Sequence, residues 1–300
     1  MKLSLLCLLL VTPCLLAMDS MEQTCIAITI DDYPMGNGLL YSLEERTNTM
    51  LATLDQHKCT AAFFCIGSEC VKQPGALNIL KRISDAGHPI ANHSWSHTSL
   101  SKQTLDQFEQ EVTKTQATLQ PYPTVRQWYR YPYLDYGQRK ELGGSLEKAH
   151  AAATMLQAWR YTEGFVTINT FDWHINSRLV RALKDGKMVD YSALGSVYRS
   201  LLTEWASHYI ELYHQRFGNN IDHTLLLHAN DLNAFYLDSI LDLIKKQGWQ
   251  IITPNVAFSN NGWRQRVFQN PELLADCKPA TLDIEQIDSR LLQAHVFTQD

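Results

Sequence analysis

The chain has 300 residues, 45% of them hydrophobic and 10% aromatic, enough to bury one large core or two small ones. Its formal charge is −5, and the charged residues are interspersed. That excludes both the basic face a nucleic-acid partner requires and a charged interaction tail.

In chain order, Met1-Lys2, an apolar run over Leu3–Leu16 and Ala17 read as a secretory signal peptide spanning 1–17. The run is too short for a membrane span, so no transmembrane segment is expected in the mature chain. The mature protein is expected to be exported, periplasmic or secreted. Cleavage would leave Cys25, Cys59, Cys65, Cys70 and Cys277. Five is an odd number, and their pairing stays open.

From residue 25 to about 255, strand-like runs alternate with helical stretches. Strands are predicted at Cys25–Asp32, Ala61–Ile66, His88–His93, Val125–Tyr133, Phe165–Trp173, His223–His228 and Trp249–Thr253. Helices are predicted over about 42–56, 76–86, 105–119 and 145–159. This rhythm predicts parallel strands with crossover helices, as a barrel or an open doubly wound sheet. Residues 176–220 form a longer, mostly helical insert carrying Tyr191, Tyr198, Trp205, Tyr209 and Tyr213. Packing against the barrel wall is the preferred reading of that stripe, with a sugar-stacking surface as the alternative. The main domain is expected over 18–260, and 261–300 reads as a polar, irregular extension.

The polar residues that end these strands carry the chemistry. Asp31-Asp32 closes the first strand, where two adjacent carboxylates are costly to place for structure alone. His93 and His97, spaced i, i+4, can converge on one metal ion, and Asp32 can complete a set of two imidazoles and one carboxylate. Such a set leaves positions open for water. Asp31 would then stand beside it as general base. Zinc is the default ion, with other divalent transition metals fitting the same donors. Arg130 could hold the catalytic carboxylate ionised, and the backbone N–H of Tyr133 could face a developing oxyanion. Asp172 could pin Arg130 through a bidentate pair, with Trp173 as an apolar cleft wall. His228 is suited to general acid, and Leu226 to a small acyl pocket.

Taken together, Thr29-Ile-Asp-Asp32, Ala61–Gly67, His93-Ser-Trp-Ser-His97, Arg130-Tyr-Pro-Tyr133, Asp172-Trp173 and Leu226-Leu-His228 resemble the polysaccharide deacetylase family, the NodB-homology proteins. The resemblance runs from about 25 to 255. It implies a distorted (β/α)7-type barrel, here with helical insertions, and metal-dependent removal of acetyl groups from a carbohydrate, an N-acetylated glycan first. It further implies Asp31 as base, Asp32, His93 and His97 as metal ligands, and Arg130 tethering the base. Asp172 would orient that arginine, Tyr133 would supply the oxyanion-hole amide, and His228 would be the acid. Where the family usually has Gly after the aspartate pair, this chain has Tyr33-Pro34, which predicts a bulky ring against substrate at the cleft mouth. That departure, with the insert, keeps a second enzymatic reading, an amidohydrolase or deformylase acting on a small non-sugar amide. An inactive carbohydrate-binding relative is the third.

Overall fold

The computed structural model describes residues 23–218, 221–259, 262–263, 267 and 284–298. The expected signal peptide over 1–17 and Cys277 lie outside them. Among the described residues, these strands and α-helices follow in order. They are β1 (Cys25–Tyr33), α1 (Leu43–Gln56), β2 (Ala61–Cys65), α2 (Gly67–Lys72), α3 (Ala76–Asp85), β3 (Ile90–Asn92), α4 (Leu105–Leu119), β4 (Val125–Tyr129) and α5 (Leu146–Ala158). Then come β5 (Thr162–Glu163), β6 (Ile168–Asn169), α6 (Asp172–Lys184), β7 (Met188–Val189), α7 (Tyr191–Phe217), β8 (Asp222–His228), α8 (Asp231–Lys246), β9 (Gln250–Ile252), α9 (Pro254–Ser259), α10 (Ile284–Gln293) and β10 (Phe297–Thr298).

The main sheet is parallel in every pairing and runs β5-β4-β3-β2-β1-β8-β6, with β9 added beside the first residues of β1. It is a seven-strand path curled into a half-barrel with its helices outside, the expected (β/α)7-type architecture. β1 explains why the centre is so apolar. Both of its faces are covered, so it reads as a continuous run instead of an alternation. Period-2 geometry still separates the two faces. Ile26, Ile28 and Ile30 join the large core under the helices with Met50, Leu54, Leu237 and Leu241. Inside the half-barrel a small cluster of Ala62, Phe64, Ala91, Trp128 and Phe258 fills the lower interior, which leaves the upper end for polar groups.

The turn leaving β1 is fixed by a buried ion pair. Arg46 of α1 and Asp231 at the start of α8 meet at 3.4 Å, both nearly fully buried. Arg46 donates to the carbonyls of Met35 and Gly36, and Asp231 accepts from the amides of Leu39 and Leu40 at 2.8 and 2.9 Å. Gly38 is required there, because an added Cβ would sit 2.1 Å from Asp231 Oδ1. Arg46→Met strands the Asp231 charge, and the expected cost is about 3 kcal/mol of stability by denaturant titration. A loss below about 1 kcal/mol would show that the backbone donors alone satisfy Asp231.

Several boundaries differ from the sequence expectation. The strand expected at Phe165–Trp173 is only Ile168–Asn169: Phe171 turns left-handed (φ 50°), and Asp172 opens α6 instead of closing a strand. The strand expected over Val125–Tyr133 stops at Tyr129, since Pro132 begins a 3-10 turn in which Tyr133 and Leu134 have positive φ. The stretch 176–220 begins inside α6 and continues through β7 and α7. Tyr198, Trp205, Tyr209 and Tyr213 are buried in the main core, so the aromatic stripe is packing. Among the described residues of the tail, 284–298 carry α10 and β10. Ile287 and Leu291 of α10 and Val296 join the core, and β10 pairs antiparallel with β7. Among the described residues Cys25, Cys59, Cys65 and Cys70 are free thiols. No described helix is long and apolar enough to cross a membrane.

Candidate functional site

Asp31, Asp32, His93, Arg130, Asp172 and His228 all lie at or just beyond the C-terminal ends of neighbouring parallel strands, the end where such sheets build sites. Asp31 and His228 are register partners across β1 and β8.

Asp32, His93 and His97 bring one ligand atom each within 4.8 Å of one another. His93 Nδ1 lies 2.9 Å from the Arg130 carbonyl, which can only accept. That nitrogen therefore carries the proton, and in the neutral ring Nε2 presents a lone pair. It faces Asp32 Oδ1 at 3.4 Å, while His97 Nε2 faces the same oxygen at 3.1 Å. Asp32 Oδ1 is buried and makes no hydrogen bond among the described residues. Two ring nitrogens around an orphaned carboxylate oxygen fit a divalent cation, and two imidazoles with one carboxylate are a catalytic donor set. The local backbone is strained to aim these groups: Asp32, Ser94 and His97 have φ of 63°, 63° and 55°. Glu111 of α4 supports the loop, accepting from the amides of Trp95 and Ser96 at 2.9 and 2.7 Å.

Asp31 is held from one side. Arg130 Nη1 donates to Asp31 Oδ1 at 2.5 Å and to Thr29 Oγ1 at 2.8 Å, and Arg130 Nε donates to the Gly164 carbonyl at 2.6 Å. The guanidinium lies 3.9 Å over the Phe64 ring. Burial lowers the Arg130 pKa, against the pull of Asp31. Asp31 Oδ2 stays on the ligand side, 3.7 Å from His93 Nε2.

Asp172 does not pin Arg130, and that expectation is corrected. Its Oδ1 accepts from His228 Nδ1 at 2.7 Å and from Thr170 Oγ1 at 3.1 Å. Its Oδ2 accepts from the His228 amide at 2.9 Å, Asn230 Nδ2 at 3.0 Å and Asn233 Nδ2. Five donors saturate the carboxylate, which therefore serves the histidine. Burial pushes His228 down, but the Asp172 carboxylate more than offsets it and raises its pKa from 6.5 to about 9. Burial likewise opposes charge on Asp172, and His228 holds it low.

Tyr33 is the second correction. β1 continues through it, paired with Cys65, and its ring turns into the core edge-on to Phe63 with its hydroxyl 2.5 Å from Thr47 Oγ1. It is fully buried and cannot meet substrate. Tyr133 is 66% exposed, its ring 4.6 Å from that of His97, and Trp173 is 45% exposed on the first turn of α6. Leu226 is buried and pairs with Thr29 in register, on the half-barrel's inner face. Sequence reasoning gave no role to Gly164, Asn230 and Asn233. Only Asn230 left a signal, as an N-cap residue before a helical run.

Residues 19–148 match the family described as polysaccharide deacetylase. A peptidoglycan-N-acetylglucosamine deacetylase of Bacillus cereus is 31% identical over 148 residues, 49% of this chain and 46% of that protein. The peptidoglycan-N-acetylglucosamine deacetylase PgdA of Listeria monocytogenes is 35% identical over 91 residues, 30% of this chain and 17% of its own length. The chain thus spans less than half the length of these relatives. Among solved structures, the Bc1960 peptidoglycan N-acetylglucosamine deacetylase superposes with a TM-score of 0.52 at 22% identity, covering 80% of this chain and 90% of that one. A CE4 family pseudoenzyme from Bacillus anthracis superposes at 0.53 and 18% identity, covering 79% and 66%. At these identities the structural likeness speaks for the fold alone.

Proposed function

We propose, from the match of residues 19–148 to the family described as polysaccharide deacetylase, that this chain is an exported, metal-dependent enzyme that removes acetyl groups from an N-acetylated glycan. The observation that carries the reading is the convergence at one end of the half-barrel of the Asp32–His93–His97 cluster, the Arg130-held Asp31 and the Asp172-held His228. A divalent transition metal, zinc by default, would be held by Asp32, His93 and His97 and would supply Lewis acidity and an acidified water.

The protein's own groups divide the remaining work. Arg130 occupies Asp31 Oδ1, so Oδ2 is the oxygen that takes the proton from the attacking water. The Tyr133 amide, in a turn where Tyr133 has a φ of 58°, is assigned to the oxyanion. Asp172 holds His228 Nδ1, which leaves Nε2–H to protonate the departing amine. Leu226 and Trp173 are assigned to the acetyl methyl and the sugar face. The burial of Tyr33 removes the bulky ring that favoured a small non-sugar amide. The apolar N-terminal run supports export.

The test is acetate release by the purified protein from a panel of N-acetylated oligosaccharides, peptidoglycan fragments and chitin oligomers among them. Release that vanishes on chelation and returns with metal is the expected result. Stoichiometric metal binding with no acetate from any sugar would overturn the substrate class.

A further inference from the structure

We infer that α7 controls the acid arm of this site through one buried hydroxyl: Tyr198 is a positioning residue for His228, acting through Asn233 and Asp172. The inference rests on His228 being the acid of the proposed reaction, and it extends that reading to a helix carrying none of the recognised motifs.

The chain of contacts is continuous and buried. Tyr198, Asn233 and Asp172 are all fully buried. Tyr198 Oη lies 2.7 Å from Asn233 Oδ1. Asn233 Nδ2 donates to Asp172 Oδ2 and, at 2.9 Å, to the His228 carbonyl. Asp172 in turn binds both the ring and the amide of His228. The amide side chain of Asn233 has two faces of opposite polarity. Only with Nδ2 toward Asp172 does it donate to the carboxylate. Flipped, it would set a carbonyl oxygen against that anion. Oδ1 must then point away, into the core, where an acceptor without a donor costs about 1–3 kcal/mol. The Tyr198 hydroxyl is the donor found there, so it satisfies Oδ1 and holds Asn233 in the orientation that Asp172 requires. That orientation keeps Asp172 under the His228 ring.

The helix reaches this point because Tyr198 lies on its buried face with Leu194, Leu201, Leu202 and Trp205. A second hydroxyl at the α7–α8 contact provides a control. Tyr236 of α8 packs its ring edge-on to Tyr198 at 6.3 Å, but its hydroxyl donates to the Tyr191 carbonyl at 2.6 Å and to no group of the acid arm.

The test compares Tyr198→Phe with Tyr236→Phe on two substrates. An N-acetylated sugar has a poor amine leaving group that must be protonated, whereas 4-nitrophenyl acetate releases a phenolate that needs no acid. Tyr198→Phe is expected to lower kcat on the amide on the order of tenfold with KM unchanged, and to leave the ester within about twofold. Tyr236→Phe is expected to show no such split. Equal losses on both substrates in Tyr198→Phe, or no loss, would overturn the positioning role. A second readout is independent of turnover. The hydrogen-bonded His228 Nδ1–H proton, followed by NMR, should exchange with water at least about tenfold faster in Tyr198→Phe than in wild type or Tyr236→Phe. An unchanged exchange rate would overturn the inference even if the wild-type protein hydrolysed neither substrate, an outcome that would count separately against the deacetylase reading.

Discussion

Asp31→Asn is expected to lower turnover about a thousandfold while the protein still binds one equivalent of metal. The carboxamide cannot accept the proton from water, but Asp32, His93 and His97 are untouched, so the ligand set survives. The substitution also leaves the buried Arg130 without its counter-charge, since Arg130 Nη1 bonds Asp31 Oδ1 at 2.5 Å. A stability loss of about 3 kcal/mol should accompany the lost activity. Three measurements on one preparation separate these effects: kcat, metal content and the unfolding midpoint. Near-normal turnover with metal bound would remove Asp31 from the base role. His93→Ala is the complement: it should lose the metal itself, because it deletes one of only three donors.

His228→Ala is expected to slow amide hydrolysis by about a hundredfold or more and the activated ester by much less. Nδ1 is taken by Asp172, so the free edge of the ring can act only through Nε2. The wild-type pH dependence has a definite sign. A group raised from 6.5 to about 9 on folding stays protonated, and competent as an acid, through neutral pH. Amide turnover should therefore fall as pH rises through about 9, and that limb should disappear in His228→Ala. The same shift stabilises the fold by about 3 kcal/mol, fully present below pH 6.5 and lost as pH rises through about 9. Equal losses on amide and ester would exclude the acid role. So would an alkaline limb that survives the substitution.

Which of these features could be read from the chain follows from how far apart their causes lie. Strands β1, β2 and β8, and helices α1, α4 and α5, were legible because each is set by its own pattern. β1 is an apolar run, and α1 and α4 open on capping boxes, Ser42 with Glu45 and Thr104 with Gln107. The candidate metal cluster was legible for a related reason. Its histidines are close in sequence, and its aspartates mark a strand end where carboxylates have no structural purpose.

Partner choice was not legible. Arg130 and Asp172 each end a strand-like run, and nothing local distinguishes a carboxylate that holds an arginine from one that holds a histidine. β1 lies between β8 and β2, so Asp31 and His228 come into register while Arg130 reaches in from the other side. Only the sheet order assigns Asp31 to Arg130 and Asp172 to His228. The facing of Tyr33 was decided in the same way, by whether β1 ran two residues further and which side of the sheet then received the ring. Composition and spacing thus determined the locally patterned elements, the parallel α/β class and the candidate metal donors, all of them properties of short stretches. The tertiary structure decided which donors meet which acceptors, because strand order and burial join residues that are 50 to 100 positions apart in the chain.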